Sequence, residues 1–518
     1  YMRDASLPWW HSGRNSTTAS STTASTGHGS GNSMSTSMYV AYVLDHVLLP
    51  ASNRTYARPA ERWAISASCL EFAEKCLATL PVAPVDTAHP GFDVLRRLLS
   101  GTPLLRELFF FVHPDPSCAG YEVINMNRAQ TSDFSRAVRA ALRILLRMLE
   151  VQNDVLHNVP SINDHAAVKD RALFLALDVH LLQAHQVVVQ IALYILCVDT
   201  EIAWLAVRLL GALARTSTFQ ATDAFGPLRA RTSRNRLAGL LDMAGETARV
   251  TSGVLAWLEA DTGMDADSDN LNYDADVNGN YHASGTTAHM DMSSSLSDAD
   301  GAASLNDTAT GILPAKIQKE LLDLFLEQLV PDAPAPNVAH LLLGFDMDAS
   351  DPDRLVHESR DAILLTLVQR VTPPCTWPPT LAERCYAVLQ RACVHPYTSA
   401  SMLRFLRTHD FVATQLGSLP LVPLSVTSSS SATGPSFGTL MYASGETVNT
   451  RTEWALALLR THAHILSLVA LELHTLAAHG QLQRAVPLMT LLLGEPVMHG
   501  TGGGSGRWRP LLEATHVT

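Results

Sequence analysis

The sequence predicts an all-α protein in which helices bury an apolar face against one another. First, apolar residues recur three or four apart over helix-length runs. The densest example is Pro336 to Val412, which holds PNVAHLLLGFD, LAERCYAVLQRAC and TSASMLRFLRTHDFV between short Pro, Ser and Asp breaks. In its middle piece Leu381, Cys385, Val388, Leu389 and Ala392 fall on one helical face. Second, no run of alternating Val, Ile, Thr or aromatic residues closes through a hairpin turn. Third, Leu and Ala dominate the segments with helical period. The central run offers no charged pocket, glycine loop or metal box, and so points to stacked helices with a scaffold role.

The elements follow in order. Residues 1–37 are rich in Ser, Thr, Gly and Asn, a composition that buries too little apolar surface to order itself. Helical structure is expected from Met38, in YVAYVLDHVLL, ending at Pro50. A second helix runs from Pro59 to Leu80, with Pro in its first turn and Pro81 after its end. PGFDVLRRLLSGTPLLRELFFFV reads as two short helices split by Gly101 and Pro103. Thr131 to Leu156 is the cleanest helix: Phe134, Val138, Leu142, Leu145 and Leu149 form one stripe, and Arg136, Arg139, Arg143 and Arg147 the opposite one. Thr131, Ser132 and Asp133 are candidates to cap its start.

Further helices are expected over Ala166–Leu182, His185–Arg215 and Arg234–Ala260. Helices resume at Ile312 and continue to Leu416. Ser425–Asn449 reads as a polar insertion, and helices over Thr452–Ala478 and Leu482–Leu493 follow it. Gly500–Gly506 has linker composition. The expected organisation is a disordered 1–37, a helical block 38–260, and an acidic disordered loop 261–310. A second helical block follows at 311–494, interrupted by the polar insertion 425–450, and then a flexible tail 495–518. No repeat of fixed period is visible.

A chain of 518 residues exceeds one compact domain of usual size and suits several domains or one elongated stack. The formal charge is −12, and its location matters more than its size. Between Thr251 and Ala315 there is no Lys or Arg, while Glu259 and ten Asp contribute −11. The remainder is near neutral and gives no long-range steering of nucleic acid. Seven cysteines in a chain this long are few; Cys69 and Cys76 are seven apart and share a face, so buried, reduced thiols are expected. The start at Tyr1 suggests a fragment, and no secretory signal is visible. The most apolar stretch, Val187–Ala214, is broken by Asp199 and Glu201 and reads as a buried helix pair, with no transmembrane segment expected.

Candidate chemistry is sparse. Gly434-Pro435-Ser436-Phe437-Gly438 matches the nucleophile elbow, but that motif works where a strand turns into a helix, and no strand is expected before Ser436. Asp274, Asp276, Asn278 and Gly279 match half a calcium loop, yet Gly285 stands where a bidentate Glu is needed. Cys375, Cys385, Cys393 and His395 do not have zinc-knuckle spacing, and packing is the better reading. None of Lys75, Lys169, Lys316 and Lys319 follows Gly, which excludes a phosphate loop. The Arg136–Arg147 stripe, with Arg128 nearby, has the spacing to meet RNA phosphates, but reads better as a solvated face partly paired with Asp133, Glu150 and Asp154. Phe109, Phe110 and Phe111 read as core packing before partner docking, and Trp9, Trp10 and Trp508 lie in the expected flexible ends. No catalytic, cofactor or metal residue is expected.

Three stretches resemble the largest scaffold nucleoporins of the inner ring of the nuclear pore complex. PNVAHLLLGFD (336–346) is similar to a family helix ending in a Leu-Leu-Gly-Phe-acidic turn. LAERCYAVLQRACVHPYTSASMLRFLRTHDFVATQLGSLP (381–420) carries the family's Glu, Cys-Tyr, Cys and Arg-Phe-Leu-Arg in order. PGFDVLRRLLSGTPLLRELFFFV, then ALRILLRMLEVQNDVL, and later THAHILSLVALELHTLAAHGQLQRAVPLMTLLLGE keep the family's order, so the resemblance covers roughly 60 to 493. It implies an elongated, right-handed superhelical α-solenoid of degenerate HEAT/ARM-like repeats. It also implies a location in the nucleus, at the nuclear envelope, in the pore. The implied partners are other inner-ring nucleoporins, chiefly amphipathic helices of linker nucleoporins, with no nucleic acid. A karyopherin-like transport receptor is the competing reading; it calls for an acidic face built from helices, whereas the acid here lies between them.

Overall fold

A computed structural model describes residues 33–51, 54–81, 89–113, 132–158, 175–225, 232–261, 301–346, 362–372, 375, 377–418, 423–429, 437–442 and 447–493. Helix α1 spans Ser33–Tyr42 and continues as a π-turn over Val43–Leu48 and a last turn over Leu49–Ala51. It therefore starts before Met38, inside the stretch expected to lack structure, and passes Pro50. Val40, Leu44 and Leu48 are all buried four residues apart, a spacing the wider π-turn keeps on one face.

Helices α2 (Pro59–Ala78), α3 (Pro90–Leu99) and α4 (Pro103–Val112) each open on a proline, whose fixed φ and missing N–H suit the first turn. Next come α5 (Ser132–Asn158), α6 (Leu177–Gln183), α7 (His185–Leu193) and α8 (Thr200–Arg215). Helix α6 starts well inside the run expected from Ala166; residues 166–174 lie outside the described part. The His185–Arg215 run is broken after Leu196, where Asp199 accepts from the Glu201 and Ile202 amides and starts α8 afresh.

A short α9 (Ser217–Gln220) leads to β1 (Thr222–Phe225), which pairs antiparallel with β2 (Thr232–Asn235). The single helix expected over Arg234–Ala260 is two, α10 (Arg236–Met243) and α11 (Thr247–Glu259), because Gly245 turns the chain at φ 71°.

The second half holds α12 (Gly301–Gln328), α13 (Val338–Leu342), α14 (Ala362–Val371), α15 (Pro379–Val394), α16 (Ser399–Thr408), α17 (Phe411–Ser418), α18 (Thr452–Ala478) and α19 (Leu482–Leu493). Helix α12 begins at Gly301 where Ile312 was expected, and residues 262–300 lie outside the description. The polar insertion contains a correction as well: β3 (Pro423–Ser429), β4 (Phe437–Tyr442) and β5 (Thr447–Arg451) form an antiparallel meander. Its serines disguised strand formers in alternation, Leu-Ser-Val-Thr in β3 and Thr-Val-Asn-Thr in β5, and local hairpin pairing satisfies the backbone without a long apolar run.

The helices pack in a row. Among the described residues α2 lies on α5, α5 on α8, α8 on α12, α12 on α15, and α15 on α18. Shorter helices add a second layer: α3 on α2, α4 on α5, α11 on α7 and α14, and α19 on α17 and α18. One cluster of buried apolar side chains runs without a break from Val40 to Leu492. The expected stripe of α5 is buried throughout, as are Leu381, Cys385, Val388, Leu389 and Ala392 of α15. Helix α18 is the one described helix long and apolar enough by itself to cross a membrane. Here its Ile465, Leu468 and Val469 are buried in the core, and its Ser467 accepts from Gln390 of α15.

Helices α2 and α3 touch backbone to backbone at Gly91, where an added Cβ would meet the Cys76 carbonyl oxygen at 2.2 Å. Gly91→Ala should therefore lower the unfolding free energy by about 1–3 kcal/mol in chemical denaturation, with α3 loosened first. An unchanged midpoint would show that α3 shifts freely.

Candidate functional site

The motif 336–346 is a polar joint inside an apolar core. Asn337 and His340 are fully buried. The Asn337 side chain accepts from Ala339 N–H at 3.1 Å and donates to the carbonyls of Gln328 at 2.7 Å and Pro334 at 3.2 Å. One residue thus starts α13 and closes the end of α12. His340 stands three residues on, where a capping box usually has Glu or Gln. Its Nδ1 has a partner in either tautomer: bare, it accepts from Asn337 N–H at 3.3 Å; protonated, it donates to Asn337 Oδ1 at 2.8 Å.

The far end of α13 is a Schellman turn. Gly344 takes φ 88°, its N–H donates to Leu341 at 3.3 Å, and Phe345 N–H donates back to His340 at 2.9 Å. The Leu-Leu-Gly-Phe of the motif is a helix stop, and its Gly is there for the left-handed backbone.

The joint extends sideways. Asn235 N–H donates to the Pro336 carbonyl at 3.0 Å, and the Asn235 side chain caps α10 through Leu237 and Ala238. On the other side the His340 ring stands 4.8 Å from that of His395 and 5.2 Å from that of Tyr397, whose hydroxyl donates to the Asp346 carbonyl at 2.6 Å. The Nε2 atoms of both histidines are buried without a partner among the described residues. Burial, with His395 adding to it, pushes the His340 pKa down to about 3.

The candidate zinc set does not converge. Cys385 Sγ faces the Leu367 carbonyl at 3.5 Å, Cys375 Sγ faces Trp377 O at 3.7 Å, and His395 Nδ1 accepts from Tyr397 N–H at 3.2 Å. Burial raises the thiol pKa of Cys375, Cys385 and Cys393, the reverse of what a thiolate ligand needs. Among the described residues no group of three or more His, Cys, Asp or Glu is placed to hold a metal.

The Arg stripe of α5 is occupied from within: the expected Asp133 and Glu150 pair with it, and Glu71, Glu74 and Glu201 of the neighbouring helices join them. Arg136 forks onto both carboxylate oxygens of Glu71 at 2.9 Å and also holds Asp133 at 2.9 Å. Arg139 pairs with Glu201 at 2.9 Å; Arg143 pairs with Glu201 and, at 3.3 Å, with Glu74. Arg147 reaches Glu150 at 3.3 Å and the Leu80 carbonyl at 3.4 Å. Burial alone would raise the Glu201 pKa, but the hydrogen bonds from Arg139 and Arg143 outweigh it and hold it low. The stripe is therefore a ladder joining α5 to α2 and α8. Arg128 lies outside the described residues.

Phe111 is buried against Trp63 at 6.0 Å, and Phe110 lies 5.9 Å from it under the Arg62 guanidinium. The triplet is core and near-core, as the packing reading held. Ser436 and the 274–279 half-loop lie outside the described residues. The elbow reading meets two findings: β3 does precede Ser436, but the element after it is strand β4, paired back onto β3, where the motif requires a helix. Trp9, Trp10 and Trp508 are likewise outside the description.

One open groove, about 980 Å³, lies between α16, α17, α18 and α19, with Leu403, Arg407, Glu472, His479, Arg484 and Pro487 in its walls. Arg407 holds the buried Glu472 at 2.6 Å across it.

Sequence reasoning singled out the motif but missed the work of Asn337 and His340. An Asn-x-x-His spacing ahead of Leu-Leu-Gly-Phe signals a five-residue helix fixed at both ends. It also missed Glu201, whose partners are distant in sequence, and Asn235, whose side chain caps α10 locally while its N–H reaches the distant Pro336 carbonyl.

A row of helices over one continuous core, with its polar side chains joining helix to helix, defines an all-α protein built by neighbour-to-neighbour packing. The chain belongs to the nuclear pore complex scaffold family of nucleoporins 186/192/205, whose profile it matches over residues 14–506, further at both ends than the resemblance reached. It is thus a component of the pore at the nuclear envelope. A comparison with curated proteins finds no match.

Two measurements follow from this geometry. A buried histidine held neutral keeps its full contribution above the unfolded pKa near 6.5, and loses it as pH falls through 6.5 toward the folded value of about 3. Unfolding free energy should drop by about 1–3 kcal/mol between pH 7 and pH 5, and His340→Gln should flatten that slope. Glu201→Gln should cost about 1–2 kcal/mol at pH 7, less at high salt, because two guanidinium groups lose their shared carboxylate. An equal loss in 1 M salt would mean that packing, not the ladder, was disturbed.

Proposed function

We propose that this chain is a scaffold segment of the inner ring of the pore, an elongated right-handed superhelical α-solenoid of degenerate HEAT/ARM-like repeats. In this reading it binds short amphipathic helices of linker nucleoporins and so supports nucleocytoplasmic transport, with no catalysis and no cofactor. The observation that carries the reading is the row α2–α5–α8–α12–α15–α18 over one unbroken core. Helices added one beside the next build length, and the seams between them are grooves for an apolar helix face. The groove between α16 and α19 has the form such a segment needs: an apolar floor with Leu403 and Leu476, and a polar rim with Arg484 and Gln481. Many weak, geometrically matched contacts of this kind gain strength through multivalency in an assembled ring.

The test is capture from nuclear-envelope extract with this chain as bait, read by mass spectrometry. Enrichment of inner-ring linker and scaffold nucleoporins is expected. Ala400→Trp, at an exposed position on the groove wall, should reduce the linker signal while leaving the fold intact. Recovery of the small Ran GTPase with cargo, and of no pore subunit, would move the chain to the transport receptors.

A further inference from the structure

Helix α13 is five residues long and cannot hold a helical shape alone. It stays folded because Asn337 fixes its start, Gly344 fixes its end, and the His340 ring packs 4.8 Å from that of His395. His395 stands at the corner between α15 and α16, where its N–H donates to the Arg391 carbonyl and its own carbonyl accepts from Thr398 and Ser399. His340 is fully buried and His395 is exposed by 2%. The two imidazoles thus meet across the joint, each with its Nε2 buried and unpartnered among the described residues.

The closed joint suits neutral rings and has no place for a cation. Tyr397 N–H donates to His395 Nδ1 at 3.2 Å, so that nitrogen is bare and the neutral ring keeps its hydrogen on Nε2. A second hydrogen, on Nδ1, would set one donor against another. Protonated His340 carries a hydrogen on Nε2 whichever tautomer it starts from, and that nitrogen is buried without an acceptor. Among the described residues no carboxylate balances the charge. Helices α10, α11 and α12 pack on α13. Their charged groups are turned to other partners: Arg234 holds Asp242 and Arg236 reaches the Thr218 carbonyl, Arg249 holds Glu246, Glu327 holds Arg215 and Asp323 holds Arg384. On the side of the corner, Arg391 reaches the Leu326 carbonyl, Arg407 holds Glu472, and Asp346 gives its carbonyl to the Tyr397 hydroxyl. The titratable group that bears on His340 is His395, and burial alone bears on His395, so both are held neutral.

We propose that His340 and His395 form an acid-operated latch: a proton on either ring opens the joint and releases α13 from α12 and from the α15–α16 corner, while the rest of the row stays packed. The proposal is independent of the inner-ring reading. The open joint takes up a proton at the ordinary histidine value near 6.5 and the closed joint does not, so the latch is shut above that pH and loosens as pH falls through it. Between pH 7 and pH 5 one such histidine shifts the opening equilibrium by about 25-fold, and two shift it further. The test is hydrogen exchange with mass spectrometry on the full chain at both pH values, with rates corrected for the intrinsic effect of pH. Protection across 337–346, where the Leu341, Leu343 and Phe345 amides are bonded, should fall by about 25-fold or more, with that of α5 and α8 unchanged. His340→Gln keeps a capping side chain and His395→Phe keeps a ring; each should shrink the drop, and the double variant should abolish it. An equal drop along α5 and α8 overturns the proposal, because the chain would then be unfolding as a whole. So does a drop that persists in the double variant, or its absence from the unaltered chain. The regional pattern in the unaltered chain decides even where a variant fails to fold.

Discussion

One buried amide ties the end of α12 to the start of α13 in the middle of the packed row. Asn337 satisfies the end of α12, the start of α13 and, through the neighbouring Pro336 carbonyl, the strand that leads into α10. A helix of five residues has no stability of its own, and here both its ends are buried. Left unpartnered, each backbone group there costs about 1–3 kcal/mol, comparable to what the burial of a single Leu returns, and the Asn337 side chain partners three of them. Hydrogen bonding therefore wins over apolar content at this point, and a polar residue is the stabilising choice. Gly344, at φ 88°, then ends α13.

The ladder along α5 works differently. Its side chains are partly exposed, so each ion pair is worth no more than about 1 kcal/mol and the apolar stripe beneath supplies most of the affinity between helices. What the ladder adds is register. Arg136 reaches Glu71 on α2, Arg139 reaches Glu201 at the start of α8, and Arg143 reaches both neighbours. Rotating α5, or sliding it by half a turn, would lift the guanidinium groups off these carboxylates. A Leu stripe alone resists such small adjustments less, because apolar contact is not directional. Burying the contact with apolar groups and indexing it with charges gives the row a fixed pitch.

The helices and their buried faces were legible in the sequence, because a helix must show its apolar side every three or four residues whatever it packs on. The stripes of α5 and α15 were read correctly to the residue. Partners were not legible. Glu71 and Glu201 lie 65 and 62 residues from the arginines they hold, and no local pattern encodes that pairing. The β3–β5 meander was missed because serine content outweighed alternation in the reading. The physical requirement for such a hairpin is only backbone pairing and a turn. His340 was passed over for a related reason: it does the work of a capping Glu in a place too apolar for a carboxylate.

Two polar interruptions fall within the row, at 262–300 and around the meander, and in both places the helices on either side touch each other. Gln318 of α12 donates to the Trp257 and Ala260 carbonyls at the end of α11, at 3.0 and 2.8 Å, while Trp257 in turn donates to the Ile195 carbonyl at 2.6 Å. Helix α17 meets α18 directly across the meander. At both joints helix-to-helix contacts bridge the interruption, and at the second the meander strands pack on α18 as well. An insertion placed where its two flanks are already in contact adds only slowly growing loop entropy, since doubling a loop costs about 0.6 kcal/mol. In a protein whose shape comes from neighbour-to-neighbour packing, such joints are where length and charge can be added with the pitch of the row preserved.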